Sequence, residues 1–364
     1  MPKQLTDVPA TPAPATLLLA EAITVAPAAR VLLYGGATLA LALAGLVPQG
    51  ELWLSHPQTT LRDQVQHALG AADRATFIDD VALPPTEFGQ FDAVVIDAPQ
   101  SRVLARRWLV EAHAALHVGG VLWLGGANDG GVQSLIADAA ALFGNAQTLV
   151  AKRRARVARA RRTDEAHTPV WASEPGIALG SWYRFEAALP DGPLALDSLP
   201  GIFSYDRLDA GTRMLLDHLG DVHGARVLDL GCGYGVIGLM AARQGAAQVD
   251  MLDEDRFAVA AAQRNAAAHG FAQVRVVTAN GRADAFRGPY DLVVTNPPFH
   301  RGKDVDYTAA NGFIAYARAV VAEHGRFVLV ANSFLRYDKL LGATFAQVVP
   351  LARTASYTIW QATR

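Results

Sequence analysis

The sequence predicts an α/β chain that carries the same doubly wound, parallel-sheet fold twice in tandem. Three observations carry this expectation. The 364 residues suit two domains of roughly 150 to 200 residues each. Four short segments of the first half recur, in the same order, in the second: 29–36 (A-R-V-L-L-Y-G-G) as 225–233, 51–56 as 248–254, 91–100 as 290–299, and 119–124 as 325–330. Each is an aliphatic run bounded by Gly, Asp or Pro, the pattern of a buried strand, and Ala- and Leu-rich helical stretches separate them. A composition of 51% hydrophobic and 18% charged residues supplies two cores and excludes a mainly disordered chain.

Residues 1–15, rich in Pro, Ala and Thr, read as a flexible tail, and 16–165 as the first domain. Its apolar run 17–20 ends at Glu21, too short for a signal-peptide core. The uncharged stretch 31–50 has about the length of a bilayer span. Its order of V-L-L-Y, Gly35-Gly36 and an Ala/Leu run stopped by Pro48 instead reads as strand, turn and helix, so a soluble cytoplasmic protein is expected, with no membrane partner. The first domain closes on 152–162, with seven cations in eleven residues of a chain whose net charge is −2. Lys152, Arg153, Arg154 and Arg156 are therefore the candidates for phosphate contact with RNA; a solvated edge strand blunted by charge is the alternative. Residues 166–200 read as a linker with a β-hairpin turning at Asp191-Gly192, and 201–364 as the second domain. The single cysteine, Cys232, excludes an internal disulfide, and no metal site is expected.

Ligands of open α/β sheets bind at the carboxyl ends of the strands, and there the halves differ. The first has Leu33, a bare Gly35-Gly36, Ser55-His56 and Asp97-Ala98-Pro99-Gln100, which reads as a degenerate copy without a cofactor site. The second has Asp229, the loop Gly231-Cys232-Gly233-Tyr234-Gly235, Asp253-Glu254 and Asn296-Pro297-Pro298-Phe299. Glycines permit a tight strand-to-helix turn and close approach of a ligand. Residues 233–238 also fit the dinucleotide pattern G-x-G-x-x-G, with Asp253 about twenty positions on. Asp229 separates the two ligands: a carboxylate before the loop opposes a pyrophosphate but favours the ammonium and sulfonium of S-adenosylmethionine. Asp253 or Glu254 can accept from ribose hydroxyls in either case, and Asn280 or its neighbours Ala279 and Gly281, where a third strand would end, could contact the adenine.

Two prolines after Asn296 fix the backbone and leave the Pro297 carbonyl free to accept. The Asn296 side-chain oxygen is a second, neutral acceptor. Together they can hold both hydrogens of an exocyclic amine, so that positioning and electrostatics, rather than a strong base, carry methyl transfer. Phe299 would stack on a planar base, rotated out if it lies in a duplex. His300 reads as a loop residue.

With these residues in view, the chain resembles class I S-adenosylmethionine-dependent methyltransferases, most of all the ribosomal RNA guanine-N2 methyltransferases of the small-subunit methyltransferase C type. The match rests on L-P-G-I-F-S-Y-D-R-L-D-A-G-T at 199–212, D-L-G-C-G at 229–233, N-P-P-F-H at 296–300 and V-A-N-S-F-L-R-Y at 330–337. The resemblance implies two tandem Rossmann-like domains, the N-terminal one degenerate, with a seven-stranded catalytic sheet whose last strand (354–360) is antiparallel. It implies that Phe203, Asp209 and Gly211 line or cap the cofactor pocket, although Asp209 is also a good helix N-cap and Phe203 could equally belong to a core. It implies 16S rRNA or the small ribosomal subunit as partner; the basic stretch at 152–162 is the ground for expecting the first domain to dock that RNA. Tyr205 stands where the family usually has Arg. The family has large-subunit relatives, and N-P-P-F is shared with adenine-N6 and protein-glutamine methyltransferases, so guanine N2 of large-subunit rRNA, adenine N6 and a protein glutamine amide remain alternatives, as does a non-catalytic rRNA-binding assembly protein.

Overall fold

The computed structural model describes residues 12–70, 75–279, 286–297 and 308–364, and divides the chain into two compact units, 1–182 and 183–364. In the first unit the order is α1 (Pro14–Ala22), β1 (Arg30–Tyr34), α2 (Ala37–Leu46), β2 (Glu51–Leu54), α3 (Thr59–Leu69), β3 (Thr76–Phe77) and β4 (Phe91–Asp97). It continues through α4 (Arg102–Ala115), β5 (Leu116–Ala127), α5 (Val132–Phe143), β6 (Gln147–Lys152) and β7 (Ala155–Arg161). The second unit opens on a hairpin, β8 (Tyr183–Leu189) and β9 (Gly192–Ser198), then α6 (Ala210–Leu216), β10 (Arg226–Leu230), α7 (Val236–Arg243), β11 (Gln248–Asp253) and α8 (Arg256–Ala268). It ends with β12 (Val274–Thr278), β13 (Tyr290–Thr295), α9 (Thr308–Val320), β14 (Val321–Asn332), α10 (Tyr337–Gly342), β15 (Gln347–Arg353) and β16 (Tyr357–Thr363).

Both units contain a seven-stranded sheet with one topology: β3-β2-β1-β4-β5-β7-β6 in the first and β12-β11-β10-β13-β14-β16-β15 in the second. Strands are parallel up to β5 and β14; β7 and β16 then run antiparallel to both of their neighbours, which leaves the edge strands β6 and β15 pointing the same way as the rest. The likeness extends to register. A shift interrupts the β4–β5 pairing between Phe91 and Ala93, and the same shift interrupts β13–β14 between Tyr290 and Leu292. Asp92 accepts from the backbone N–H of Arg30 at 2.7 Å, as Asp291 does from that of Arg226 at 2.8 Å. The central strands are buried on both faces, as their continuous apolar runs require.

Four boundaries differ from the sequence reading. Helix α1 starts at Pro14, inside the stretch assigned to the tail, because a proline is tolerated in the first turn and Leu18 and Leu19 bury against the sheet. The 166–200 connection is divided between the units. Buried Arg107 donates to the carbonyls of Gly176 (2.7 Å) and Ser181 (3.2 Å), holding that segment to the first unit. The hairpin is held to the second by Asn265, whose amide exchanges hydrogen bonds with Asp197 N (2.7 Å) and Asp197 O (2.9 Å). Its turn residues are Pro190-Asp191, with Gly192 already paired to Leu189. The last strand begins at Tyr357 rather than 354, since the Thr354 hydroxyl caps a turn by accepting from Tyr357 N at 3.0 Å. The stretch 31–50 is strand and a ten-residue helix, and among the described residues no helix is long and apolar enough to cross a membrane.

Candidate active site

The glycine loop leaves β10 and enters α7 with Gly231, Gly233 and Gly235 at φ 68°, 56° and 92°, a left-handed run that side chains other than glycine resist. The amides of Gly231 and Cys232 donate to Leu252 O at 2.8 and 3.0 Å, pinning the loop to the end of β11. Beneath it, Asp229 is fully buried. One of its carboxylate oxygens accepts from Gly238 N at 3.0 Å; the other is buried with no hydrogen-bond partner among the described residues. Burial, with a smaller contribution from the charge of Asp253, pushes its carboxyl up to about 7. Asp253 closes the loop from the next strand, accepting from Gly233 N and Asp255 N, both at 2.9 Å. Burial raises its pKa too. Asp255, which caps α8 through Phe257 N and Ala258 N, is pushed up to about 7 by burial and by Asp253. Glu254 lies partly buried between them.

Desolvated carboxylates beneath and beside a backbone loop favour a cationic ligand with hydroxyl groups; a pyrophosphate would meet like charge. S-Adenosylmethionine fits this donor and acceptor set. Cys232 is buried with its thiol pushed up by desolvation and the nearby carboxylates, so it serves the loop through its backbone and packing rather than as a nucleophile. Among the described residues no cluster of His, Cys, Asp or Glu is placed to hold a metal ion.

Asn296 stands at the end of β13, which is tied to β10 by the Thr295 hydroxyl donating to Leu230 O at 2.6 Å. Its amide nitrogen donates to Thr212 Oγ1 at 2.8 Å and to Asp209 Oδ2 at 3.4 Å. Asp209 is the N-cap of α6, accepting from Thr212 N at 2.9 Å. Gly211 permits this approach: a Cβ there would lie 3.0 Å from the Tyr357 ring. The segment before α6 crosses the glycine loop, where Tyr234 Oη donates to Arg207 O at 3.1 Å. Phe203, on that segment, is 67% exposed and not a core residue. Tyr205 packs edge-on against Tyr183 at 5.4 Å. Pro297 is buried; Asn280, Pro298 and Phe299 lie outside the described residues.

Sequence reasoning placed Asp229, Gly231, Gly233, Asp253 and Asn296 at this edge and passed over Thr212, Asp255 and Tyr357. The signal for Asp255 is an acid just before the periodic run of α8; Thr212 meets Asn296 only once α6 has packed on the sheet, and Tyr357 lies at the site only because it faces Gly211.

In the first unit, Leu33 replaces Asp229. The last strand residue, Tyr34, and the helix N-cap Gly36 are two positions apart, where Leu230 and Gly235 are five apart. A Cβ added at Gly35 would lie 3.0 Å from the Leu33 side chain, 3.2 Å from that of Leu39 and 3.4 Å from that of Asp97. The basic stretch forms the β6–β7 hairpin with Arg153 and Arg154 at its tip. Arg161 and Arg162 are spent on carbonyls of their own unit and Arg159 lies over Trp123. Arg154 has 86% of its side chain exposed, at the limit of an ion pair with the equally open Asp129; Lys152 is half-exposed near Glu21, and Arg156 donates to Asn128.

A seven-stranded sheet with a single reversed strand, a glycine loop over a buried acid and an Asn-Pro corner at the adjacent strand end define a class I S-adenosylmethionine-dependent methyltransferase. Residues 193–361 match the methyltransferase small domain family. The chain is 35% identical over 329 residues to ribosomal RNA small subunit methyltransferase C of Pseudomonas entomophila, covering 88% of this chain and 91% of that one. It is 37% identical over 289 residues to the Chromohalobacter salexigens protein of the same name, covering 78% and 81%. The solved structure of the T. thermophilus 16S rRNA guanine-N2 methyltransferase RsmC, with AdoMet and guanosine, aligns with a TM-score of 0.83 at 26% identity over 97% of this chain and 92% of that one. The chain belongs to the ribosomal RNA small subunit methyltransferase C family.

Proposed function

We propose that this protein transfers a methyl group from S-adenosylmethionine to the exocyclic N2 amine of a guanine in 16S rRNA, in the cytoplasm. The observation that carries this reading is the pairing of two features on one sheet edge: the desolvated Asp229 under the glycine loop, and Asn296 with its amide nitrogen engaged behind it. Support comes from the relatives, whose names state rRNA small-subunit methylation and, for the solved structure, guanine N2.

Asp229, Gly231, Gly233, Asp253 and the backbone of Cys232 hold the cofactor, with Glu254 and Asn280 as further contacts and Phe203, Asp209 and Gly211 at the rim. Bound there, S-adenosylmethionine supplies a methyl group on a cationic sulfur. Asn296 Oδ1 and the Pro297 carbonyl accept the two amine hydrogens, which favours a tetrahedral nitrogen with its lone pair out of conjugation with the ring. Pro298 stiffens this corner and Phe299 stacks on the base.

The first unit contributes phosphate contact through Lys152, Arg153, Arg154 and Arg156 and holds no cofactor, with Leu33 in the place of Asp229 and a shorter loop after it. Arg153 and Arg154 sit at φ 53° and 58°, left-handed positions that a two-residue hairpin turn normally gives to Asn and Gly. Cations kept there at a conformational cost of about 1 kcal/mol each support a binding role over a blunted edge. Incubation with labelled cofactor and 16S rRNA or small subunits, followed by nucleoside analysis, tests the assignment. N2-methylguanosine is the expected product; label in adenine or in protein assigns the site to another amine.

A further inference from the structure

The orientation of the Asn296 amide decides whether it can do what is proposed for it. An amide turned one way offers an acceptor to a substrate amine; turned the other way it offers a donor, and two donors repel. We infer that Thr212, anchored by Asp209, is the residue that sets this orientation, an inference that rests on the reading of Asn296 as the amine's acceptor.

An ionised carboxylate only accepts. Asp209 Oδ2 receives Thr212 N at 2.9 Å and the Thr212 hydroxyl at 3.4 Å. With its hydrogen directed at Asp209, the hydroxyl has only lone pairs left to offer. Asn296 meets it with Nδ2 at 2.8 Å, and the same nitrogen reaches Asp209 Oδ2 at 3.4 Å. A flipped amide would set Oδ1 against the hydroxyl lone pairs and the carboxylate, so the flip is disfavoured twice. Thr212 is 6% exposed, so water does not replace it readily. The polarity thus runs outward from Asp209 through Thr212 to Asn296, and it ends with Oδ1 as the free acceptor.

The first unit carries the same contact with the opposite polarity. Thr16 is the third residue of α1, as Thr212 is of α6, and Asp97 matches Asn296 in the aligned strands. There the N-cap is Ala13, which has no acid to claim the hydroxyl, and Thr16 Oγ1 donates forward to Asp97 Oδ2 at 2.9 Å. A threonine at this place follows whichever neighbour is an obligate acceptor. Asp209 supplies that acceptor behind Thr212 in the second unit.

Thr212 is a positioning residue, and four variants of the full-length protein separate this role from packing: Thr212→Val, Thr212→Ser, Asn296→Ala and the double Thr212→Val/Asn296→Ala. Single-turnover methyl transfer to 16S rRNA is measured beside S-adenosylmethionine affinity. Thr212→Val is expected to slow transfer ten- to hundredfold with cofactor affinity within twofold of wild type. Thr212→Ser, which keeps the hydroxyl, is expected to recover to within threefold. In the Asn296→Ala background, Thr212→Val should cost less than a further twofold, since there is no amide left to orient. A slow Asn296→Ala with a fast Thr212→Val, a serine no better than valine, or additive losses in the double variant would each overturn the inference while leaving the Asn296 reading intact. Full activity in Asn296→Ala would overturn both.

Discussion

In the proposed reaction Asp229 and Asn296 would contribute in opposite ways, one by its desolvated charge and the other by a neutral dipole held in one orientation. Asp229, raised from 3.8 to about 7, keeps a proton in the folded chain that the unfolded chain releases. Its contribution to stability is present in full below about pH 4 and is lost as pH rises through about 7. A cationic ligand favours the ionised form, so S-adenosylmethionine affinity is expected to rise between about pH 5 and pH 7, and Asp229→Asn to flatten that rise. Calorimetric titration at several pH values checks this; a flat profile in the wild type would count against a direct role for the carboxylate. For Asn296→Ala, turnover is expected to fall about a hundredfold, the scale for loss of one oriented polar group, with cofactor affinity within twofold. Parallel losses in both would contradict its assignment to the substrate. The sequence made both residues legible because each follows an apolar strand run with a Gly or Pro behind it. It could not reveal Thr212, whose role depends on which atom of Asp209 it faces.

Among the elements, the β6–β7 hairpin yields the sharpest expectation. Arg153→Asn with Arg154→Gly relieves two left-handed non-glycine positions and is expected to stabilise the first unit by about 1 kcal/mol or more. The same change should weaken RNA binding. Thermal denaturation and RNA titration on one preparation test the two together; a variant that is more stable and binds RNA as well as wild type would return the arginines to an edge-blunting role. At this scale the apolar pattern marks the strands closely and the turns less closely. The 190–191 turn is displaced by one residue because Gly192 adopts φ 115° within the strand, and β16 starts late because T-A-S at 354–356 folds as a side-chain-capped turn. Neither follows from hydrophobic pattern, which marks what is buried and not where the backbone reverses.

At the level of the whole chain, the two sheets share strand order, register shift and the aspartates that cap β1 and β10, while their carboxyl edges have diverged. Buried strands preserve a recognisable apolar pattern through such divergence, which is why the repeat was legible without structure. The division at 182 and 183 was not, since it depends on Arg107 and Asn265 each claiming part of the connection. The two units should be separable by mutation. Neutralising Lys152, Arg153, Arg154 and Arg156 is expected to weaken RNA binding and flatten its salt dependence, with cofactor affinity unchanged. The log–log slope should fall by up to about 0.7 to 0.9 for each phosphate that is no longer neutralised. An unaltered salt slope would remove this hairpin from the RNA interface.

The most direct measurement is mass mapping of 16S rRNA from cells lacking this gene, complemented with the wild-type chain or with Asn296→Ala. One N2-methylguanosine should be absent from the deletion, return with the wild type and stay absent with the variant. A complete set of guanine methyl groups in the deletion, or restoration by Asn296→Ala, would contradict the account.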